Sequence, residues 1–195
     1  MIPAELPLEI AQAGTFNMDV QLLQNARSVE LTAGSDLFAL RCHGFSAGDL
    51  VGFQSSAGTF PCGLAGVAGF YVIASGLTTN EFRVSATSGG ASVGISPLAQ
   101  DLTGIEYKVG RTVNITSATF DADIKSTISG ALVASFTVST VNALAGIVRM
   151  TLPFATTTAM PASDQYAYDL NYRISGESYY PFAGPLTIVG TQSRP

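Results

Sequence analysis

QYAYDLNYRI, residues 165–174, is the stretch on which the reading of the fold turns. Tyr166, Tyr168, Leu170, Tyr172 and Ile174 alternate with Ala167, Asp169, Asn171 and Arg173. An extended strand gives side chains that period of two, because successive Cβ atoms point to opposite faces. The tyrosine face is therefore expected to be buried in a core and the Asp169–Arg173 face to lie outside it.

The same texture extends in both directions along the chain. VNITSATFDADIKS (113–126) places Ala118, Phe120, Ala122 and Ile124 on one face. ALVASFTVS (131–139), GIVRMTL (146–152) and PFAGPLTIVG (181–190) read as further strands, rich in β-branched and aromatic residues. Loop signals separate them: SG (129–130), NALAG (142–146) and SGES (175–178). A short helical turn is expected only within FATTTAMPASD (154–164), and no sustained 3.6-residue apolar pattern occurs. The expected fold is all-β, with strand spacing that suits sandwiches or small barrels.

Composition narrows the function. Apolar residues make up 47 % and charged residues 12 %, about half the usual charged share, so the surface is polar but largely uncharged. There are 14 acids against 9 Lys and Arg, with no basic cluster, which argues against nucleic-acid binding. The most apolar run, CGLAGVAGFYVIASGL (62–77), is shorter than the ~20 residues of a bilayer helix and carries four glycines, so no membrane insertion is expected. MIPAELPLEIA has Glu5 and Glu9 but no basic segment, unlike a secretion signal. Synthesis in a reducing cytoplasm with free thiols at Cys42 and Cys62 is expected, a Cys42–Cys62 bridge being the alternative.

Glycine divides the chain into two textures. Residues 33–100 hold Gly34, Gly44, Gly48, Gly52, Gly58, Gly63, Gly66, Gly69, Gly76, Gly89, Gly90 and Gly94 among short strands such as DLVGF, GFYVIA and NEFRVSA. That density implies many tight turns in a small β module. Residues 110–190 have longer strands and fewer glycines.

The glycine-dense region resembles a small β module of tailed-phage tail and fibre proteins. Its texture, H-G-L/F-x-x-G-D-x-V-x-F, a P-x-G-L turn, Y-Y-V and N-x-F-x-L/V, is met by HGFSAGDLVGF (43–53), PCGL (61–64), GFYVIA (69–74) and NEFRVSATSGGASV (80–93). The remainder resembles the N-terminal β-sandwich of the phage upper baseplate protein family. The matching segments are LPLEIAQAGTFNMDVQLL (6–23), ATFDADIKS (118–126), GIVRMTLPFATTTAMP (146–161), YAYDL (166–170) and GPLTIVG (184–190). In that family the first two segments are close in sequence, whereas here the glycine-dense region separates them. The resemblance thus implies an antiparallel β-sandwich from residues 1–26 and 109–195, with residues 27–108 inserted in a loop as a small β module.

ALRCHGFSAGDLVGF (39–53) joins the single histidine, His43, to Cys42 and, six residues on, Asp49. A Cys–His pair works only within hydrogen-bond reach, and strand neighbours point apart. Zinc would need further ligands, and Cys62 alone is on offer. The expectation is turn structure, with no catalytic residue, no metal and no cofactor. SGGAS (88–92) lacks the Lys and helix of a phosphate loop and reads as a hairpin turn. Asp121, Asp123 and Asp169 fall on outward faces, where nothing selects a catalytic carboxylate pair. Tyr166, Tyr168 and Tyr172 are expected in the core with their hydroxyls at its rim. In ESYYPF (177–182), read as a turn, Tyr179, Tyr180 and Phe182 are the candidate partner-binding residues.

The resemblance implies a non-enzymatic virion component, assembled in the host cytoplasm. The expected place is a tail, baseplate or fibre-attachment adaptor that contacts other virion proteins and its own copies, trimers being common in such assemblies. A capsid cement or decoration protein is one alternative. A module binding host glycan through Tyr179–Phe182 is the other.

Overall fold

A computed structural model describes residues 4–31, 34–57, 59–61, 63–64, 68–95 and 105–190. Its strands are β1 (Ala4–Glu5), β2 (Leu8–Ala11), β3 (Phe16–Gln21), β4 (Leu23–Ser28), β5 (Glu30–Leu31), β6 (Phe38–Ala39), β7 (Leu50–Ser55) and β8 (Phe70–Ile73). They continue with β9 (Glu81–Ser85), β10 (Tyr107–Thr112), β11 (Thr119–Ser126), β12 (Leu132–Ser135), β13 (Thr137–Asn142), β14 (Ile147–Leu152), β15 (Ser163–Ile174) and β16 (Glu177–Val189). One short helix, α1 (Phe154–Ala159), completes an all-β fold. The chain divides into two compact units. The first comprises Met1–Val20, Ile115–Val141 and Val148–Pro195; the second comprises Gln21–Asn114 and Asn142–Ile147. The loop 142–147, read from sequence as part of the sandwich, thus groups with the glycine-rich unit.

The first unit is a sandwich of two sheets. The larger runs β1-β16-β15-β11-β12 with β2 also on β16, and the smaller runs β13-β14-β3. β15 and β16 form an antiparallel hairpin whose turn residues, Ser175 and Gly176, both have positive φ (51° and 85°). That conformation matches the right-handed twist of paired strands. Tyr166, Tyr168, Leu170 and Tyr172 are buried as their period requires. Two departures from the sequence reading follow from local chemistry. β1 and β2 pair parallel to β16, so the large sheet is not purely antiparallel. ALVASFTVS is not one strand but two, β12 in the large sheet and β13 in the small one. The switch occurs at Phe136, whose N–H donates to Ala122 O (2.8 Å) while its buried ring meets Phe16 and Tyr168 at 5.7 and 6.0 Å. Strands that change sheets at such a corner are a common way to close a β-sandwich edge.

Tyr168 ties the N-terminal strands to this core by donating its hydroxyl to Leu6 O at 2.7 Å. Burial pushes its phenol up to about 12 from the ordinary value of 10.0. An acid whose pKa is raised by folding stabilises the fold below its unfolded pKa and loses that contribution as pH rises. Stability should therefore fall as pH rises from about 10 toward 12. In Tyr168→Phe that decline should flatten in denaturation midpoints read across the same range. An unchanged decline in the variant would remove Tyr168 from the account.

The second unit is a small barrel. Its sheet order is β4-β10-β7-β8-β9-β6-β5, and every pairing is antiparallel. The two end strands are consecutive in the chain, separated by Val29, whose N–H donates to Tyr107 O (2.9 Å). One extended segment therefore borders β10 at its start and β6 at its end, which curls the sheet into a barrel. Phe38, Phe53, Phe82, Val51, Val84 and Val109 fill the inside with no measurable exposure. Phe38 stacks on Phe82 at 5.2 Å and lies 5.1 Å from Phe53. A bulge bends β4: Gln24 faces Arg111 and Arg27 faces Val109, so Asn25 (φ 52°) and Ala26 together oppose Gly110. A side chain at Gly110 would place its Cβ 2.7 Å from Gln24 O, which is why glycine stands there.

Candidate interaction surfaces

The reactive-looking cluster lies in the loop between β6 and β7 of the barrel, and its geometry assigns each group a structural task. His43 is buried. Its Nδ1 accepts from the Phe45 N–H (2.9 Å), and its Nε2 lies 3.3 Å from Glu81 O. An acceptor on one side and a carbonyl on the other fix the Nε2–H tautomer. The ring also packs on Phe45 and Phe82 at 5.0 and 5.2 Å. Neither nitrogen is left to take a proton from Cys42. That residue has φ 49° and a free, exposed thiol, and its N–H donates to Asn80 Oδ1. Cys62, the other half of the bridge considered above, lies outside the described residues.

Asp49 is equally committed. Its Oδ2 accepts from the Ser46 N–H (2.8 Å) and from Nε and Nη2 of Arg111 (2.9 and 2.8 Å). The same guanidinium lies over the Phe45 ring, 5.5 Å from its centroid, and donates to Gly44 O. Arg111, on β10, thus clamps the whole turn, and nothing in the HGFSAGD stretch itself signals that partner 62 residues away. Nearby, Arg27 donates to Arg41 O and Cys42 O, bridging β4 to the chain leaving β6 beside a cleft of about 410 Å³. The cleft walls mix Arg27 and Arg41 with Glu30 and Glu81, which favours no single ligand charge.

We expect ¹⁵N NMR of His43 to show a protonated Nε2 and a bare Nδ1. His43→Ala should cost roughly 2–3 kcal/mol, since it strands the Phe45 N–H and opens a void between rings, while Glu81 O keeps its bond from the Thr78 N–H (2.9 Å). A rapidly exchanging tautomer mixture, or an alanine variant as stable as the parent, would contradict this assignment.

The aromatic trio is placed differently from its sequence reading. ESYYPF is not a turn but the start of β16. Phe182 is buried in the sandwich core and cannot serve as an exposed anchor. Tyr179 is stacked on Tyr172 (5.0 Å, 14°), and its hydroxyl donates to the Glu177 carboxylate, which raises the phenol pKa. Tyr180 alone of the three is well exposed, at 50 %. β16 thus begins at Glu177, ahead of the strand expected from Pro181. The pairing of β15 with β16 shifts register there, between Leu170↔Phe182 and Tyr172↔Tyr179, and a bulge tolerates a residue without N–H.

The aspartates sit on the outer face of the large sheet, as their alternation implies. Asp123 faces Asp169 across β11 and β15, and Asp121 faces Asn171. Lys125 Nζ lies 3.3 Å from Asp169 and 4.0 Å from Asp123, and Ser135 donates to Asp123 Oδ1. A lysine already answers the opposed pair. Among the described residues no three His, Cys, Asp or Glu side chains are grouped to hold a metal ion. No helix of the described residues is long and apolar enough to cross a membrane.

What the surface does offer is uncharged apolar edge. Ile128, Leu132, Val133 and Val141 in the first unit are exposed at 74, 60, 40 and 49 %. β12 ends the large sheet and β13 ends the small one, so both strands of this segment are sheet edges. Comparison with known protein families and with curated proteins returns no match to the chain.

Proposed function

We propose that the chain is a non-enzymatic structural component of a tailed bacteriophage particle, an adaptor at the tail, baseplate or fibre-attachment region. It works through contacts with other virion proteins and with its own copies, without a cofactor. The observation that carries this reading is the use of His43 and Asp49 by the fold, which leaves the exposed Cys42 thiol without a base. His43 spends both nitrogens on backbone groups, and Asp49 is held by Arg111. The chemistry that would have argued for an enzyme is thereby accounted for, while the sequence resemblance of 43–93, and of 6–23 with 118–190, to phage modules supports a place in the virion.

Low charge fits the same role. A chain with only 12 % charged residues suits broad, repeated contacts between subunits, where each buried charge would need a partner. Antibody labelling of intact particles, imaged by electron microscopy, tests the proposal. Label at the tail or baseplate supports it, and label over the capsid replaces it with a decoration role. Absence of the protein from purified particles overturns it.

A further inference from the structure

We infer that β13 is the strand through which two copies of this chain pair, edge to edge; the inference rests on the reading of the protein as a self-contacting structural subunit. Its starting observation is a run without charge. No Asp, Glu, Lys or Arg occurs between Lys125 and Arg149. Five of the eight large apolar side chains exposed among the described residues fall inside that run: Ile128, Leu132, Val133, Val141 and Leu144.

Edge strands present unpaired N–H and C=O groups and are usually protected by charge, proline, a bulge or a cover. In the second unit the end strands both carry charge, Arg27 on β4 and Glu30 on β5. In the sandwich, β3 ends the small sheet on one side but carries Asp19, held by Arg149 at 2.6 and 2.8 Å. β12 ends the large sheet, yet its register with β11 shifts between Ile124↔Ala134 and Lys125↔Leu132, so Val133 bulges out of the ladder. β13 has none of these devices. TVSTVN is six residues long, rich in β-branched side chains, free of Gly, Pro and charge, and exposed at every position but Val138. Such a segment on an edge is the sequence type that pairs with its own kind.

Symmetry selects the occupant. A two-fold axis sets identical strands antiparallel, so any charge near the centre would meet its own like charge. β13 opposes Thr, Ser, Val and Asn with one another whichever residue lies on the axis, so a second copy meets no repulsion. A charged partner would find no complement along the strand.

Sedimentation velocity of the full chain over a concentration series tests this. The parent is expected to associate. Thr140→Lys and Val141→Lys, one on each face of β13, are expected to raise the dissociation constant at least tenfold while keeping the parent circular dichroism and melting temperature. Lysine variants that associate like the parent would place the contact elsewhere and overturn the β13 assignment, leaving the structural-subunit reading in force. A parent monomeric at the highest concentration also overturns β13 pairing, and particle labelling then decides the function independently.

Discussion

Gly146→Ala is expected to lower stability by about 3–4 kcal/mol, far more than most surface substitutions. Gly146 has φ +66°, and an added Cβ would lie 2.7 Å from Val113 O and 2.9 Å from Leu22 O. The left-handed backbone by itself costs an alanine roughly 1–2 kcal/mol. The two carbonyls are backbone atoms and cannot rotate away, so the loop must shift. That shift breaks the bond from the Leu22 N–H to Gly146 O (2.9 Å) and disturbs the one from the Val113 N–H to Leu22 O (3.1 Å). Losing these buried bonds adds roughly another 2 kcal/mol. Gly176→Ala is the control: its φ is +85°, but nothing lies within 4 Å of the added methyl. It should cost about 1–2 kcal/mol. Urea denaturation of both variants separates conformation from collision, and equal losses would defeat the collision argument.

The contrast between these glycines shows what a sequence can and cannot announce. SG at 175–176 follows a cleanly alternating strand, and its hairpin was legible because turn chemistry is local. NALAG at 142–146 was also legible as a loop, but its attachment to Leu22 and Val113 is long-range and leaves no local mark. The same division runs through the fold. Tyr166, Tyr168, Leu170 and Tyr172 gave the sandwich core directly, since their burial follows from a period of two. Phe136 gave no warning that it splits 131–139 into two strands, because a corner made by burial of one ring needs neither Gly nor Pro. LQNARS, which became β4, alternates in nothing; five of its six residues are exposed and its strand exists through pairing with β10. For the candidate site, strand geometry sufficed to doubt a Cys42–His43 pair. The positive finding, Arg111 clamping Asp49 and Gly44, required the tertiary structure.

Gln21→Glu should be the most damaging single-atom change in the barrel unit, and its cost should depend on pH. Gln21 is 4 % exposed, and its Nε2 donates to two backbone carbonyls, Ala68 O (2.9 Å) and Ala145 O (3.1 Å). Its Oε1 meets no partner among the described residues. A glutamate there offers the carbonyls an oxygen in place of the donor, and only its protonated form can supply even one hydrogen bond. Burial and two facing carbonyls therefore raise its pKa in the folded state above the unfolded value of about 4.3. A raised pKa means stability is fullest below that unfolded value and is lost as pH rises through the folded one. The variant should thus melt well below the parent at pH 7 and recover toward it on acidification. Gln21→Leu removes the donor without a charge and should lose roughly 2–4 kcal/mol with no such pH dependence. Gly52 explains why a side chain this long fits: a Cβ at that position would lie 2.4–2.6 Å from the Gln21 carboxamide atoms. Gly52→Ala should then expel the carboxamide and reproduce much of the loss. In a Gln21→Ala background the three atoms nearest that methyl are gone, so most of its cost should disappear. Strong non-additivity in that double-mutant cycle is the expected result. Additive losses would mean that Gly52 is required for some reason other than room for Gln21.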